Sequence, residues 1–158
     1  MPADEAGLRA KPQTDTIDRQ AVAQFRMASD PHSVREGLRQ ALEGEPLTRL
    51  SVDDRNTAEI VLAEVLNNVV EHAYASKAGS VFLFLSLGEG RLHCRIEDEG
   101  TAMPGNAPPA GNPPDPADLP EGGFGWHLIR TLSTDLCYER MGSVNRLSFS
   151  LPAEQSGR

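Results

Sequence analysis

One stretch of the chain carries carboxylate, amide and imidazole side chains at a regular spacing. The segment Glu59 to Tyr74 reads EIVLAEVLNNVVEHAY. A helix turns by about 100° per residue, so residues three or four apart share a face. The polar residues that fall on one face are Glu64, Asn67, Asn68, Glu71 and His72. The apolar residues that fill the opposite face are Leu62, Val65, Leu66, Val69, Val70 and Ala73. The segment therefore predicts a helix with a buried side and a polar stripe.

The residue types on this stripe favour a functional site over a solvated surface. Two adjacent Asn residues inside a helix each cost about half a kcal/mol relative to Ala, and the stripe holds no Lys or Arg to pair with its carboxylates. A carboxylate can accept a proton from a hydroxyl, and an amide oxygen suits a hard cation that keeps most of its waters. Glu64 and Asn68, one turn apart, could thus supply two of the groups that phosphoryl transfer needs.

A second carboxylate stands at the end of a predicted strand. Arg91 to Asp98 alternates cleanly, and Asp98 has the same parity as the apolar residues Leu92, Cys94 and Ile96. Side chains of one parity share one face of a sheet, so Asp98 is expected to point into the core. A buried carboxylate needs a hydrogen-bond donor. Either a nearby backbone amide or a bound ligand could supply that donor.

A glycine-rich segment precedes the last predicted helix. Residues 122–125 read GGFG and lead into the apolar segment Trp126 to Leu132. The free amides at a helix start can bind an anion, although the sequence lacks the GK[ST] of a Walker loop. The loop before it, residues 101–122, is rich in Pro, Gly and Asn. A loop of this length in a compact domain is typically a functional lid or disordered.

The remaining periodicity predicts three helices and five strands. Asp30 and Pro31 begin a helix that stops near Gly44, and Asp53 or Asp54 begins the central helix, which ends between Ala75 and Gly79. The predicted strands are Val22–Met27, Ser80–Leu87, Arg91–Asp98, Leu136–Arg140 and Asn145–Leu151. Two hairpins among these strands indicate a mainly antiparallel sheet. We therefore expect an α/β two-layer sandwich with helices on one face, spanning residues 21–152 between a disordered tail at 1–20 and a short tail at 153–158.

Composition limits the classes of partner. The 158 residues carry a net charge of −8, which argues against direct nucleic-acid binding because that binding relies on Lys and Arg. No apolar run approaches the 18 residues of a membrane span, and no signal sequence is evident. Cys94 and Cys137 lack metal-ligand spacing and are expected to be buried free thiols. These features predict a soluble cytoplasmic protein that is not bound to a membrane.

Three motifs occur in order along the chain. They are E-x-x-x-N-x-x-x-H-A-Y from Glu64, D-x-G from Asp98, and G-x-G-x-x-L-I from Gly123, with the loop between the second and third. Together they resemble the GHKL ATPases, the superfamily of gyrase, Hsp90, histidine kinases and MutL. Within that group the chain is similar to the anti-sigma-factor serine kinases of bacterial partner-switching systems. The ending YERMGSVNRLSFSL, with Asn145 before the last strand, also resembles that subfamily, and the resemblance covers residues 22–151.

The resemblance implies an ATP site with Mg²⁺. It implies that Asn68 binds the Mg²⁺ that bridges the ATP phosphates. It also implies that Asp98 accepts from the adenine amino group and that Gly100 lets the backbone approach the base. Glu64 would be the general base, and His72 would support the site.

The resemblance also assigns the phosphate-binding groups and the oligomeric state. The implied groups are Gly123 and Gly125, together with the backbone amides of Trp126 and His127. Similar proteins are homodimers, often through the first strand and helix, here residues 22–43. Val22, Phe25 and Met27 are expected to leave an apolar edge there.

Two functions of different classes follow from this resemblance. The favoured one is a serine/threonine protein kinase that is also an anti-sigma factor, and that phosphorylates a STAS-domain anti-anti-sigma protein. The alternative is an ATP-responsive partner-binding module with little or no kinase activity. A histidine-kinase catalytic domain fits less well, because the upstream phospho-acceptor helical hairpin of such kinases is not seen. Glu64 favours the kinase, because an ATP clamp does not require a base.

Overall fold

The computed structural model describes residues 22–74, 78–111 and 125–154. These residues form two layers, an antiparallel sheet and three helices that cover one of its faces. The apolar core lies between the layers. Its largest fully buried side chains include Leu62, Leu66, Leu83, Leu85, Leu92, Ile96 and Ile129. The α/β two-layer fold with an antiparallel sheet, expected from the sequence, is confirmed.

Five strands form the sheet in the order β1-β2-β3-β5-β4, and all neighbours are antiparallel. Each predicted strand is present, and four of the five extend one or two residues further than predicted at one or both ends. The strands are β1 Val22–Ala28, β2 Ser80–Gly88, β3 Arg91–Asp98, β4 Thr134–Met141 and β5 Val144–Pro152. Burial alternates along β2, β3 and β5, as expected for strands with one covered face.

The helices are α1 Pro31–Glu43, α2 Val52–Asn68 and α3 Gly125–Leu132. Asp30 caps α1 as predicted, since its carboxylate accepts from the amide of Ser33 at 2.8 Å. The predicted start of α2 is wrong by two or three residues. Ser51 is the cap, because its hydroxyl accepts from the amide of Asp54 at 3.2 Å. Asp53 and Asp54 instead occupy the first turn, where negative charge is favourable.

The central helix changes its geometry halfway along the predicted polar stripe. After Asn68 the chain continues as a π-helical segment, Val69–Ala73, and the amide of Tyr74 donates to the carbonyl of Val69 at 3.2 Å. The wider turn ends the regular spacing on which the stripe prediction relied. Glu64 and Asn68 lie in the α-helical part, whereas Glu71 and His72 lie in the π-helical part.

Two expectations about individual side chains are corrected. Cys94 is a buried free thiol, as expected, but Cys137 is exposed because it lies on the uncovered face of β4. Met27 does not belong to an exposed apolar edge. It lies in the core, 5% exposed, and Phe25 packs against that core, so only Val22 of the three is exposed. The expected tail at 1–20, residues 112–122 of the expected lid, the predicted phosphate-binding residue Gly123 and residues 155–158 lie outside the described residues.

A tight contact joins the end of the central helix to the turn after β3. The Thr101 amide donates to the carbonyl of Ala73 at 2.9 Å. A Cβ atom added to Gly100 would lie 2.3 Å from that same carbonyl oxygen, far inside contact distance. Gly100 is therefore required for space, independently of any ligand.

Gly100→Ala should destabilise the fold by about 1–3 kcal/mol, because the added methyl forces the turn away from the helix end. Urea unfolding would measure the change. Gly44→Ala is the matched control, since its Cβ would lie 3.5 Å from the nearest backbone atom in extended geometry. Equal stability of the two variants would show that the contact is not tight in solution.

Candidate functional site

A cavity of about 460 Å³ lies between the central helix, the covered face of the sheet and the first residues after β3. Most of its wall is apolar. The polar groups that line it come from the predicted motifs and from β4 and β5. The lining side chains used below are Asn68, His72, Asp98, Thr101, Met103, Trp126, Tyr138 and Asn145. All three sequence motifs thus contribute side chains to one space, the third through Trp126.

Asp98 is buried, 6% exposed, and points toward the cavity as its strand parity predicted. Its oxygen Oδ1 accepts from the Gly100 amide at 2.9 Å and from Asn145 Nδ2 at 2.8 Å. The expected backbone donor is therefore present. The second oxygen, Oδ2, receives no hydrogen bond from any described residue. One half of the carboxylate is held by the protein, and the other half is left as an acceptor in the cavity wall.

Burial raises the pKa of the Asp98 carboxyl above its ordinary value, because desolvation disfavours the charged form. The hydrogen bonds from Asn145 and Gly100 and the nearby charge of Arg140 act in the opposite direction and lower the pKa. The burial effect is the larger one. The native environment thus favours the protonated carboxyl more than water does.

Asn145 is a site residue to which the sequence interpretation gave no role. It faces Asp98 directly in the pairing of β3 with β5 and is 4% exposed. Its position in the strand gave a usable signal, since it has the same parity as the core residues Leu147, Phe149 and Leu151. A polar residue with core parity opposite a buried carboxylate predicts a cross-strand hydrogen bond.

Asn68 reaches the cavity from the polar stripe. Its amide nitrogen Nδ2 is buried and has no hydrogen-bond partner among the described residues. An unpaired buried amide is costly, by about 1–3 kcal/mol, unless a ligand or water completes it. The Asn68 side chain therefore offers an unpaired hydrogen-bond donor at the cavity, which a ligand or a water molecule could complete.

Glu64 lies one turn before Asn68 but is not among the described residues that line the cavity. Its carboxylate contacts the beginning of α3. A Cβ atom added to Gly125 would lie 2.5 Å from Glu64 Oε2 and 3.7 Å from Asn68 Nδ2. The beginning of the predicted helix is therefore brought against both stripe residues, and a side chain at Gly125 would require the Glu64 carboxylate to move.

His72 and Glu71 are mostly exposed, with side chains 73% and 68% accessible. The π-helical turn carries them out of the Glu64–Asn68 line, although His72 still touches the cavity rim. Asn67 is exposed as well. Of the stripe, Asn68 and His72 thus line the cavity, and Glu64 lies beside the beginning of α3. Asn67 and Glu71 are exposed and do not line it.

Tyr74 connects the helix end with the strand end that carries Asp98. Its hydroxyl donates to the carbonyl of Ser80 at 3.0 Å and accepts from the amide of Glu99 at 2.6 Å. A Cβ atom on Gly79 would lie 2.2 Å from its ring. The phenol therefore fixes the start of β2 and the residue after Asp98 relative to the end of the central helix.

The first part of the expected lid, residues 101–111, is fastened to α3. Arg130 donates to the carbonyls of Pro109 at 2.8 Å and Pro108 at 3.0 Å. His127 Nδ1 lies 3.3 Å from the carbonyl oxygen of Gly111, so its ring faces this loop. Trp126 lines the cavity instead.

Within the described ranges, no group of three or more His, Cys, Asp or Glu side chains is arranged to hold a metal ion. Within the same ranges, no helix is long and apolar enough to cross a membrane.

Asp98→Asn should leave the free energy of unfolding near pH 7 equal to or above that of the wild type. The amide keeps an oxygen for Asn145 and Gly100, and it removes a charge that the folded state disfavours. Because the pKa of Asp98 is raised on folding, the wild type should gain stability relative to the variant as the pH falls through that pKa.

Urea unfolding across this pH range would measure the effect, with Glu99→Gln as an exposed control of the same charge change. A variant that is less stable than the wild type, by an amount that grows with pH, would contradict the raised pKa.

Residues 27–151 match the family described as the histidine kinase-like ATPase domain. Over 94 residues the chain is 33% identical to the serine-protein kinase RsbW of Bacillus cereus (strain AH187), which covers 56% of this chain and 59% of the relative. It is 34% identical over 89 residues to the RsbW of Bacillus thuringiensis (strain Al Hakam), covering 53% and 56%. The chain thus spans less than two thirds of these curated relatives.

The structure of the RsbU and RsbW domains of Rv1364c from Mycobacterium tuberculosis superposes with a TM-score of 0.58 over 87% of this chain and 34% of that chain. The two are 14% identical, so the likeness concerns the fold. The resemblance to the GHKL ATPases that the motifs predicted is confirmed. Since the family match covers most of the sequence, from the end of β1 to the end of β5, the chain belongs to the histidine kinase-like ATPase domain family.

Proposed function

We propose that this chain is an ATP-dependent serine/threonine protein kinase and anti-sigma factor. Its substrate would be a STAS-domain anti-anti-sigma protein, and it would sequester a sigma factor when that partner is phosphorylated. Membership of an ATPase family implies ATP binding, and curated relatives are named serine-protein kinases. The observation that carries the proposal is the half-satisfied carboxylate of Asp98 in a cavity that also holds the unpaired amide of Asn68.

The cavity suits an adenine nucleotide. Asp98 Oδ2 offers an acceptor to the exocyclic amino group of adenine, and the apolar lining residues Val69, Ile96 and Leu147 offer surfaces to the faces of the base. Few polar groups in an apolar cleft are typical of cofactor and ligand sites. Gly100 lets the turn after Asp98 pack against Ala73, which lines the cavity, and its amide donates to Asp98.

The phosphates would lie toward α3. Gly125 and the amides of Trp126 and His127 stand at its beginning, next to Asn68, where backbone donors favour anions. Gly123 would complete this turn. Asn68 would hold Mg²⁺ through its amide oxygen. Mg²⁺ typically takes only one or two protein ligands plus phosphates and water, so a single amide fits, and the ion supplies neutralisation of the phosphate charge.

Glu64 would act as the general base. Its carboxylate accepts the proton of the substrate hydroxyl, the hydroxyl oxygen forms the new bond to the γ-phosphorus, and ADP leaves with the electrons of the broken bond. The contact of Glu64 with Gly125 places it beside the proposed phosphate-binding turn. His72 would support the rim of the site without touching the reacting atoms.

The second candidate function is an ATP-responsive partner-binding module without kinase activity. The position of Glu64 favours it, because this side chain does not line the cavity as described. A base that must reach the substrate hydroxyl would then have to move.

For the cell, we propose a homodimeric cytoplasmic protein that binds neither nucleic acid nor membrane directly, in line with its net charge of −8. Residues 21–152 would form its one ATPase domain, with the lid at 101–122.

Asp98→Ala should weaken ADP binding about 10- to 100-fold, since a hydrogen bond to a charged group contributes about 1.5–3 kcal/mol. Titration calorimetry on the purified protein would measure it. Glu99→Ala is the matched control, because this neighbouring carboxylate is exposed. Unchanged ADP affinity in Asp98→Ala would remove the adenine assignment.

Glu64→Ala should keep ATP and partner binding but lose about 10²–10⁴-fold in phosphorylation rate. Asn68→Ala should lose Mg²⁺-dependent ATP binding as well. The measurement is transfer of labelled γ-phosphate to a candidate STAS-domain protein, run beside a binding assay. Glu59→Ala, an exposed position on the same helix, is the control.

Two outcomes of this assay would change the assignment. Wild-type transfer by Glu64→Ala would show that Glu64 is not the base. If the wild-type protein binds ATP and the partner but transfers no phosphate, the partner-binding module replaces the kinase.

A further inference from the structure

One buried side chain, Asn145, binds five groups at once. Its nitrogen Nδ2 donates toward Asp98 Oδ1 at 2.8 Å and toward the carbonyls of Thr101 at 3.0 Å and Gly100 at 3.2 Å. Its oxygen Oδ1 accepts from the Tyr138 hydroxyl at 2.5 Å and from Arg140 Nη1 at 2.8 Å. Every polar atom of this amide is therefore used inside the protein.

These partners allow only one orientation of the amide. All three groups at Nδ2 are acceptors, and both groups at Oδ1 are donors. A flipped amide would set oxygen against a carboxylate and two carbonyls, and nitrogen against the guanidinium. The network therefore determines which end of Asn145 faces Asp98.

The sheet register brings these groups together. Asn145 pairs with Asp98 on one side and with Arg140 on the other, across the adjacent strands β3, β5 and β4. Tyr138 lies two residues before Arg140 on β4 and so has the same strand parity. Asp98, Asn145, Tyr138 and Arg140 are thus held by paired strands of the sheet and not by loops.

The bond from Asn145 determines how Asp98 meets the cavity. With Gly100 it occupies Oδ1, so the carboxylate cannot rotate without breaking two hydrogen bonds, and Oδ2 is left without a donor from the part of the chain that the structure describes. A carboxylate that rotates freely, or a carboxyl group that is protonated, could accept or donate a hydrogen bond. It would therefore not distinguish a purine that carries an amino group from one that lacks it. A fixed, ionised oxygen accepts only from a donor such as an amino group.

The same network holds the first residues of the lid. Tyr138 Oη accepts from the Met103 amide at 3.0 Å while it donates to Asn145. Arg140 also donates to the carbonyl of Gly100 at 2.9 Å. Residues 100–103 are therefore held, through Asn145, Tyr138 and Arg140, next to the cross-strand pair of Asn145 and Asp98.

We infer that Asn145 is a positioning residue that sets the selectivity of the site for a purine with a 6-amino group, and that Tyr138 supports it. The inference rests on the proposed adenine-nucleotide site and adds the residues that make its carboxylate selective. Asn145 acts through Asp98, because its own hydrogen-bonding groups are all bonded to other groups of the protein.

The test compares two ligands that differ only in the recognised group, ADP and purine riboside 5′-diphosphate, which lacks the amino group. Calorimetry on the full chain would give the ratio of their affinities. Asn145→Ala should lower the preference for ADP about tenfold, and Tyr138→Phe about threefold, as expected for losing one charged or one neutral hydrogen bond. Affinity for the analogue should change little.

A merely structural role of Asn145 would lower stability without changing that ratio. Phe149→Leu is the control, because Phe149 is a core residue of the same strand, 2% exposed, that does not line the cavity. It should lose stability and keep the wild-type ratio. Amide exchange at Met103 should quicken in Tyr138→Phe and stay unchanged in Phe149→Leu.

The outcomes separate the two proposals. If the wild type shows no preference for ADP, the adenine assignment of Asp98 fails and this inference fails with it. If the wild type prefers ADP and Asn145→Ala keeps the full preference, the positioning role alone is overturned. Should Asn145→Ala not fold, Tyr138→Phe decides, and a wild-type ratio in that variant overturns the inference.

Discussion

Burial of the Asp98 carboxylate at the end of β3 is the constraint around which the site is arranged. Removing an ionised carboxylate from water is costly unless donors replace the water. Among the described residues, donors reach one oxygen only, from Gly100 and Asn145, and burial keeps the pKa of this carboxyl raised. The fold thus tolerates an incompletely compensated charge at a place where a ligand can complete it. Such locally unfavourable groups are typical of functional sites.

The sequence predicted the fold well because its signals are local. Strand alternation placed β3 at Arg91–Asp98, as observed, and it gave the inward direction of Asp98. The cap of α2 was missed because Ser51, Asp53 and Asp54 all suit a helix start. The hydroxyl of Ser51 takes the cap position, and the two Asp residues lie in the first turn. Asn145 was noted in the sequence only as part of the family resemblance, and it was given no role for a different reason. Its role arises from cross-strand register between β3 and β5, and no local period reports which residues face each other.

The helix stripe was half predictable. A spacing of 100° per residue holds only while the helix stays α, so it correctly joined Glu64 to Asn68. Beyond Asn68 that spacing no longer holds, because the chain widens into a π-helical turn at Val69–Ala73. Of the two stripe residues in this turn, His72 lines the cavity and Glu71 does not. This turn has a consequence for packing. It presents the Ala73 carbonyl to Thr101 and leaves no room for a side chain at Gly100. The irregular turn thus joins the helix end directly to the loop that follows Asp98.

The composition of the loop after β3 follows from how it is held. Proline cannot donate a backbone hydrogen bond, but its carbonyl accepts one and its fixed φ keeps the chain extended. Pro108 and Pro109 present their carbonyls to Arg130 of α3, while Met103 is bound from the other side by Tyr138 of β4. The loop therefore connects the strand that carries the carboxylate proposed to face adenine with the helix proposed to face the phosphates. Arg130 and Tyr138 thus fasten the described part of this loop to α3 at one end and to β4 at the other.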